Sequence, residues 1–169
     1  VGIVPSKKYM NDRYGKWGWG KGSLLNFAIG QGDMLATPIQ VLQIINLIAT
    51  EGKKYTPSLN KHHLHQFNKV NLSSNTWQLL KNSIYGAVNS KYGTGTKAKL
   101  GISNAKIYGK TSTAQNPHGE SHSGFAGYIK LDNNEMMSLV VIIENGGKGS
   151  GIATQVANKL FKHFSENYQ

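Results

Sequence analysis

Three extended apolar runs follow one another in the second half of the chain, and they restrict its fold more than any other feature. The runs cover Lys106–Gln115, Gly124–Leu131 and Met136–Glu144, and their β-branched and aromatic residues predict three strands. Asp132-Asn133-Asn134 separates the last two runs and predicts a hairpin turn, because Asn and Asp tolerate the backbone angles of a tight turn. The pattern therefore predicts an antiparallel sheet.

Helical patterns precede these strands. A helix is predicted to begin at Thr37-Pro38-Ile39-Gln40, where Thr37 can cap it, Pro38 suits its first turn and Gln40 completes a capping box. It should end before Gly52 and be mostly buried, because apolar residues are dense along it. A second helix is predicted to begin at Ser73 or Ser74. Its apolar stripe comprises Trp77, Leu80, Ile84 and Val88.

A closing helix is predicted over Ile152–Phe164, with an apolar residue at every fourth position lying on the sheet. This face comprises Ile152, Val156, Leu160 and Phe164. Residues 1–23, by contrast, show no sustained period and predict an irregular surface segment. Helices, then antiparallel strands, then a closing helix predict an α+β fold, an antiparallel sheet flanked by helices, with residues 1–169 forming part of a single domain.

The charge of the chain suits several classes of partner. There are 19 Lys and Arg residues against 8 Asp and Glu, which gives a formal net charge of +11. Such a charge suits nucleic acid, an anionic membrane surface or an anionic wall polymer. The lysines are scattered rather than clustered with aromatic residues, so nucleic-acid binding is only a remote alternative. The sequence contains no Cys, which excludes disulfides, thiolate metal sites and a Cys nucleophile.

His62-His63-Leu64-His65 brings three imidazoles close together in the sequence. Imidazole is a common metal ligand, yet neither Cys nor a nearby carboxylate accompanies the cluster, so a solvated loop is favoured over a metal site. No apolar run reaches the ~20 residues that a membrane-spanning helix needs. The first residues also lack the features of a signal peptide, and any export or anchoring signal is expected outside residues 1–169.

The most informative chemistry begins at Lys110. The segment Lys110-Thr111-Ser112-Thr113-Ala114-Gln115 places a cation and alternating hydroxyls near the end of a predicted strand. A lysine and two hydroxyls in this arrangement suit an anion, because they offer positive charge and hydrogen-bond donors together.

This segment resembles the Lys-Thr-Gly region of penicillin-binding proteins and serine β-lactamases. Other segments occur in the order that class B penicillin-binding proteins show, and are most similar to the elongation-type penicillin-binding protein 2 group. They are Gly2–Ser6, Leu25–Gly32, Leu35–Gln40, His122–Tyr128 and Val140–Gly147. The chain thus resembles the C-terminal part of a transpeptidase domain with the serine β-lactamase-like fold, over most of its length except residues 60–105.

The resemblance implies a peptidoglycan D,D-transpeptidase that cross-links stem peptides through a serine acyl-enzyme during cell elongation. Thr111 and Thr113 would bind the terminal carboxylate of a D-Ala-D-Ala stem peptide, and Lys110 would set the local electric field. The backbone N–H of Thr113 would be one of two donors to the oxyanion, which is worth roughly 3 kcal/mol of barrier. Lys110 and Thr113 are therefore the candidate catalytic residues.

Ser112, Gln115 and His122 complete the candidate substrate-binding site, together with Thr111 and Thr113. Ser112 stands where the family usually has Gly, and a tolerated small hydroxyl is favoured over an altered fit for β-lactams. His122 would lie near the rim of the active site. A binding role and a structural role for His122 remain equally open, since Gly124 occupies a place where relatives often carry Trp.

The family also requires a nucleophilic Ser three residues before a Lys, and a second Ser-x-Asn motif. Ser58-Leu59-Asn60-Lys61, Ser103-Asn104-Ala105-Lys106 and Ser73-Ser74-Asn75 mimic these motifs in the wrong context, because Ser58 follows an extended stretch and Ser73 suits a helix cap. Both true motifs are expected before Val1, in an N-terminal portion of the same enzyme. Residues 1–169 alone are therefore expected neither to acylate nor to fold well.

The resemblance also implies the surroundings of the intact enzyme. β-Lactams would be its covalent inhibitors, and its partners would be the peptidoglycan stem peptide, the rod-shape proteins of the elongation complex and a glycan polymerase. The enzyme would be anchored in the bacterial inner membrane, face the periplasm and need no metal or organic cofactor. The alternative is a catalytically inactive module that binds peptidoglycan through the same strand.

Overall fold

A computed structural model describes residues 2–60 and 67–168 of the chain. The chain divides into two compact units, residues 1–40 and residues 41–169. The cluster His62-His63-Leu64-His65 lies outside the described residues. None of the described helices is long and apolar enough to cross a membrane.

The first unit contains two short helices, α1 (Lys7–Tyr14) and α2 (Lys21–Ala28). The prediction of an irregular segment over residues 1–23 is therefore wrong. It failed because α1 buries only Met10 and α2 buries none of its residues, so neither helix shows an apolar period. The caps were the better signal: Ser6 Oγ accepts a hydrogen bond from the Tyr9 N–H at 3.1 Å, and Gly15 ends α1 with φ +74°.

Helix α3 (Pro38–Ala49) begins where the sequence predicts. The Thr37 N–H donates to Oε1 of Gln40 at 2.9 Å and the Gln40 N–H donates to Oγ1 of Thr37 at 3.3 Å, which confirms the capping box. The prediction that α3 is mostly buried is wrong. Ile45 and Ile48 are buried, whereas Ile39 and Ile44 are 47% and 55% exposed. Within the described chain only one stripe of this helix is covered.

In the second unit, β1 (Lys53–Tyr55) pairs antiparallel with β2 (Phe67–Lys69). Helix α4 (Ser74–Asn89) follows, and Oγ of Ser73 accepts a hydrogen bond from the Thr76 N–H at 3.1 Å, which confirms the predicted start. Trp77 and Val88 of the predicted stripe are buried. A 3-10 turn (Thr96–Ala98) leads from α4 towards the sheet.

The three predicted strands form one antiparallel sheet in the order β3-β4-β5. They are β3 (Ala105–Ala114), β4 (His122–Leu131) and β5 (Met136–Ile143). Thr111 pairs with Phe125, and Phe125 pairs with Val141, so the three side chains share one face. The predicted hairpin turn between β4 and β5 is confirmed, and Asn134 takes the left-handed conformation there with φ +71°.

Helix α5 (Ile152–Asn167) packs on that face and closes the core, as predicted. The predicted contact face is partly wrong, because Ile152 and Leu160 are 41% and 46% exposed. The residues that α5 buries are Ala153, Thr154, Ala157, Phe161, Phe164 and Ser165. Small residues lie on this face because they let the helix approach the strands closely. The Phe161 ring then fills the remaining space against Phe125, with the ring centroids 6.3 Å apart and the planes at 77°.

Candidate active site

The edge of β3 that faces away from β4 carries backbone groups of the predicted site. Nδ2 of Asn89, on α4, donates a hydrogen bond to the Ile107 carbonyl at 2.8 Å, so this carbonyl points away from β4. In an antiparallel ladder the N–H and C=O of one residue point to the same side, and the side alternates along the strand. Thr111 and Thr113 lie an even number of residues after Ile107 on the strand. Their backbone groups therefore point to the same edge.

The Lys110 side chain starts on the face of β3 opposite to that of Thr111, and it bends to the edge that faces away from β4. Its Nζ donates a hydrogen bond to the Thr111 carbonyl at 2.7 Å. The residue is exposed. This contact places a positive charge beside the carbonyl of Thr111, two residues before Thr113 on the same strand. The arrangement suits a bound anion with a carbonyl that becomes an oxyanion.

The Thr111 hydroxyl lies on the core side of the sheet. Thr111 is only 7% exposed, and its Oγ1 lies 2.8 Å from Oγ1 of Thr94 in a hydrogen bond between the two hydroxyls. Sequence reasoning missed Thr94. The Gly93-Thr94-Gly95 segment was the available signal, because glycines on both sides let the backbone turn a hydroxyl towards the strand.

The Thr113 hydroxyl shares the face of Thr111 but contacts the loop that precedes α5. The Gly149 N–H donates a hydrogen bond to Oγ1 of Thr113 at 2.9 Å. The same loop is held by a bond from Oγ of Ser123 to the Lys148 carbonyl at 2.9 Å. The Gly147 N–H donates to the Ser121 carbonyl at 2.8 Å. The loop thus fixes the rotamer of Thr113 at the end of β3.

His122 begins β4 directly opposite Ala114, at the same end of the sheet. Its Nδ1 accepts a hydrogen bond from the Asn145 N–H at 3.0 Å, so in the neutral ring the proton resides on Nε2. Nδ2 of Asn116 donates to Oδ1 of Asn145 at 2.9 Å. Gln115 follows β3 and is exposed. His122 therefore has a structural contact and still presents a second ring nitrogen.

The structure brings all of the predicted site residues to one end of the sheet, but not to one face. The pleat places the even-numbered side chains of β3 on the face of His122, and the odd-numbered hydroxyls on the face of the core. The predicted residues are Lys110, Thr111, Ser112, Thr113, Gln115 and His122. The two faces meet at the edge of β3, where the Lys110 ammonium bonds the Thr111 carbonyl and the Thr113 N–H points the same way.

Two stacked tyrosines lie on the same face of the sheet as Lys110, nearer the start of β3. Tyr108 and Tyr128 pair across β3 and β4 and stack with ring centroids 4.5 Å apart and planes at 3°. Burial raises the pKa of Tyr128, since the phenolate would lose its hydration. Tyr128 therefore remains neutral at physiological pH and contributes no negative charge near Lys110.

The three segments that mimic the serine motifs of the family do not take the geometry that acyl transfer needs. The Ser58 hydroxyl accepts a hydrogen bond from the Asn60 N–H at 3.1 Å in an exposed loop rather than at the head of a helix. Ser73 caps α4. Ser103 precedes β3, and Lys106 lies within that strand. A catalytic Ser and Lys need adjacent positions on one helical turn.

The close approach between Gly149 and β3 gives a testable prediction. A Cβ at Gly149 would lie 2.1 Å from the Ser112 carbonyl oxygen, 2.7 Å from its carbon and 3.0 Å from the Ser112 nitrogen. These are backbone atoms that cannot rotate away. Gly149→Ala is expected to lower the free energy of unfolding by about 1–3 kcal/mol, as overpacking does. Urea unfolding of the full-length gene product measures this change.

The matched control for that substitution is Gly101→Ala. A Cβ at Gly101 meets no atom within 4 Å. Its effect is expected to stay within about 0.5 kcal/mol. Equal effects of the two substitutions would contradict the close approach of the loop to Ser112.

Comparison with known proteins places this sheet in a known family. The family model described as the penicillin binding protein transpeptidase domain matches residues 6–162. The peptidoglycan D,D-transpeptidase MrdA of Haemophilus influenzae is 31% identical over 187 aligned residues, which cover 95% of this chain and 28% of that protein. The chain therefore spans less than a third of the length of this relative.

Solved structures of related proteins share the fold. The Helicobacter pylori complex of penicillin-binding protein PBP2 with MreC matches with a TM-score of 0.75 at 32% identity, over 96% of this chain and 31% of that chain. A structure describing the coordination of polymerization and crosslinking by a peptidoglycan synthase complex matches with a TM-score of 0.84 at 28% identity, over 100% of this chain and 30% of that one. The chain belongs to the penicillin-binding protein transpeptidase domain family, with relatives of the PBP2 and MrdA type.

Proposed function

We propose that this chain is the C-terminal, substrate-binding portion of a peptidoglycan D,D-transpeptidase that works through a serine acyl-enzyme. The observation that carries the proposal is the edge of β3, where the Lys110 ammonium bonds the Thr111 carbonyl and the Thr113 N–H points the same way. Family membership and the D,D-transpeptidase activity for which the MrdA relatives are named support the same activity.

The substrate would lie along this edge as an additional extended strand. Its terminal carboxylate would meet the Lys110 ammonium and the exposed hydroxyl of Thr113, and the buried Thr111 hydroxyl would have to exchange its bond with Thr94 to join them. The scissile carbonyl would point its oxygen at the Thr113 N–H, which would stabilise the negative charge of the tetrahedral intermediate. Gln115 and His122 would contact the part of the donor that extends past the end of β3.

The reaction needs a nucleophile, which we place in a segment that precedes residue 1 in the same polypeptide. A serine hydroxyl would attack the carbonyl of the penultimate D-Ala, and the terminal D-Ala would leave with the proton that the serine loses. The amine of a second stem peptide would then attack the ester and release the serine. Lys110 would assist both steps of this reaction by its charge and position. The described part of this chain would supply binding and electrostatics.

Two structural relatives support a role for the proposed enzyme in the cell-elongation machinery of a bacterium. One structural relative forms a complex with MreC, and another belongs to a peptidoglycan synthase complex. We propose the corresponding partners, a rod-shape protein and a glycan polymerase, for the protein that contains this chain. It would be anchored in the inner membrane with this domain in the periplasm, and β-lactams would acylate it as substrate mimics.

Covalent labelling with a fluorescent penicillin tests the proposal. The full-length gene product is expected to form a stable adduct, and mass spectrometry of its peptides should locate the label on a serine preceding residue 1. Residues 1–169 expressed alone should remain unlabelled. A label on Ser58, Ser73 or Ser103 would refute the placement of the nucleophile. A full-length protein that binds peptidoglycan but is never acylated would instead be the inactive binding module.

A further inference from the structure

Thr94 is an exposed residue beside the edge of β3 that faces away from β4. The chain reaches this edge at the end of α4, where Nδ2 of Asn89 bonds the Ile107 carbonyl. The segment that follows is tied back to α4, because the Gly95 N–H donates a hydrogen bond to the Ala87 carbonyl at 2.8 Å. Gly95 is buried. Thr94 is therefore held in place by its backbone while its side chain remains accessible.

The hydrogen bond between the hydroxyls of Thr94 and Thr111 has a direction that burial decides. The oxygens lie 2.8 Å apart, and geometry alone allows either to donate. Thr111 is 7% exposed, and Thr94 is the acceptor that the described residues offer to its hydroxyl. A buried hydroxyl that donates to no acceptor costs free energy, whereas an exposed one can donate to water or to a ligand. Thr111 therefore donates, and the proton of Thr94 is available to a ligand.

Thr111 joins Thr94 to the charged group of the candidate site. Its hydroxyl bonds Thr94, and its carbonyl accepts a hydrogen bond from Nζ of Lys110 at 2.7 Å. One residue of β3 thus has an exposed hydroxyl on its side chain and an ammonium on its carbonyl. Thr113, also exposed, follows two residues later with its side chain on the face of Thr111. These groups together offer an anion one positive charge and several donors.

We propose that Thr94 binds the terminal carboxylate of the acyl donor, and that the buried hydroxyl of Thr111 holds Thr94 in position. This inference rests on the proposed transpeptidase function, in which that carboxylate lies beside Lys110. Thr111 donates to Thr94, and Thr94 donates to a carboxylate oxygen. No bond of the free protein then has to break when the donor binds. A hydroxyl that accepts one hydrogen bond is also a better donor in the next, so the buried partner strengthens the contact.

Acylation of the full-length protein by benzylpenicillin and by its methyl ester tests this role, since only the acid carries a carboxylate. Thr94→Val keeps the shape of the side chain without the hydroxyl. It is expected to slow acylation by the acid about 10- to 100-fold, the effect of one hydrogen bond to a charged group, and to leave the ester rate unchanged. Thr94→Ser keeps the hydroxyl and should retain the wild-type rate. Thr96→Val, at an exposed threonine two residues later, is the control and should change neither rate.

The variants Thr111→Val and Thr94→Val/Thr111→Val distinguish a positioning role of Thr111 from direct contact. Thr111→Val should cause a smaller loss with the acid, because Thr94 keeps its hydroxyl and loses only its orientation. The double variant should equal Thr94→Val alone, and it also removes the buried donor that Thr94→Val leaves unpaired. Urea midpoints of all variants show that the rates refer to folded protein.

Three results would overturn the inference while the wild type is still acylated. They are an unchanged acid rate in Thr94→Val, equal losses with acid and ester, and multiplied losses in the double variant, which would mean that Thr111 contacts the carboxylate itself. A wild-type protein that benzylpenicillin never acylates would refute the proposed function, and this inference with it.

Discussion

Replacement of Lys110 by Ala is expected to lower the rate of penicillin acylation of the full-length protein about 100- to 1000-fold, the range that follows the loss of one charge-stabilising group. The ammonium lies at the edge of β3, where it donates to the Thr111 carbonyl. Without it, the substrate carboxylate and the developing oxyanion would lose the nearest positive charge on this strand. Stopped-flow or gel-based acylation kinetics measures the change.

Lys106→Ala is the matched control for this experiment. Lys106 lies on the same strand and the same face, four residues earlier, and is also exposed. Its loss should change the acylation rate by no more than about twofold, because salt screens exposed charges that lie more than a Debye length apart. Both variants should keep the wild-type unfolding midpoint. Equal rates for Lys110→Ala and the wild type would remove Lys110 from the catalytic site.

Replacement of Phe161 by Ala is expected to destabilise the domain by about 3–5 kcal/mol, the usual cost of removing a buried aromatic ring. Phe161 is fully buried in α5, and its ring meets Phe125 of β4 edge to face. The loss would leave a cavity between helix and sheet. A shift of the urea midpoint at constant m-value, in the full-length protein, measures the effect.

Leu160→Ala provides the comparison for that experiment. Leu160 is the neighbouring residue on α5 and is 46% exposed. Its truncation should cost no more than about 0.5–1 kcal/mol. A larger loss at Leu160 than at Phe161 would mean that α5 meets the sheet through the face with four-residue spacing. It would contradict the packing described above.

The three strands and the hairpin between the last two could be predicted from the sequence because their signals are local. β-Branched and aromatic runs separated by Asp132-Asn133-Asn134 define β4 and β5 within a residue or two. The start of α3 was equally local, since Thr37 and Gln40 bond each other's backbone groups. Helices α1 and α2 were missed because exposed helices need no apolar period, and only α1 has a capping side chain, that of Ser6.

The candidate site could be predicted from the sequence only in part, for a different reason. The segment from Lys110 to Gln115 indicates a charged and hydroxylated strand end, and its family resemblance implies roles for Lys110, Thr111 and Thr113. The hydroxyl of Thr94 and the N–H of Gly149 lie far along the chain, 17 and 36 residues from the threonines that they contact. No local pattern indicates such contacts, because they exist only when α4 and the loop before α5 fold against β3.

The sequence alone determined that this chain forms an antiparallel sheet with a closing helix and carries a lysine and hydroxyls near one strand end. Those features follow from local periodicity, turn residues and residue chemistry. Tertiary structure alone decided that Ala153, Ala157 and Phe161 rather than Ile152 and Leu160 face the sheet. It also decided that the Lys110 side chain bends to the edge of β3 and bonds the Thr111 carbonyl. Side-chain periodicity specifies which residues share a face, but the surface that each face meets depends on packing between distant segments.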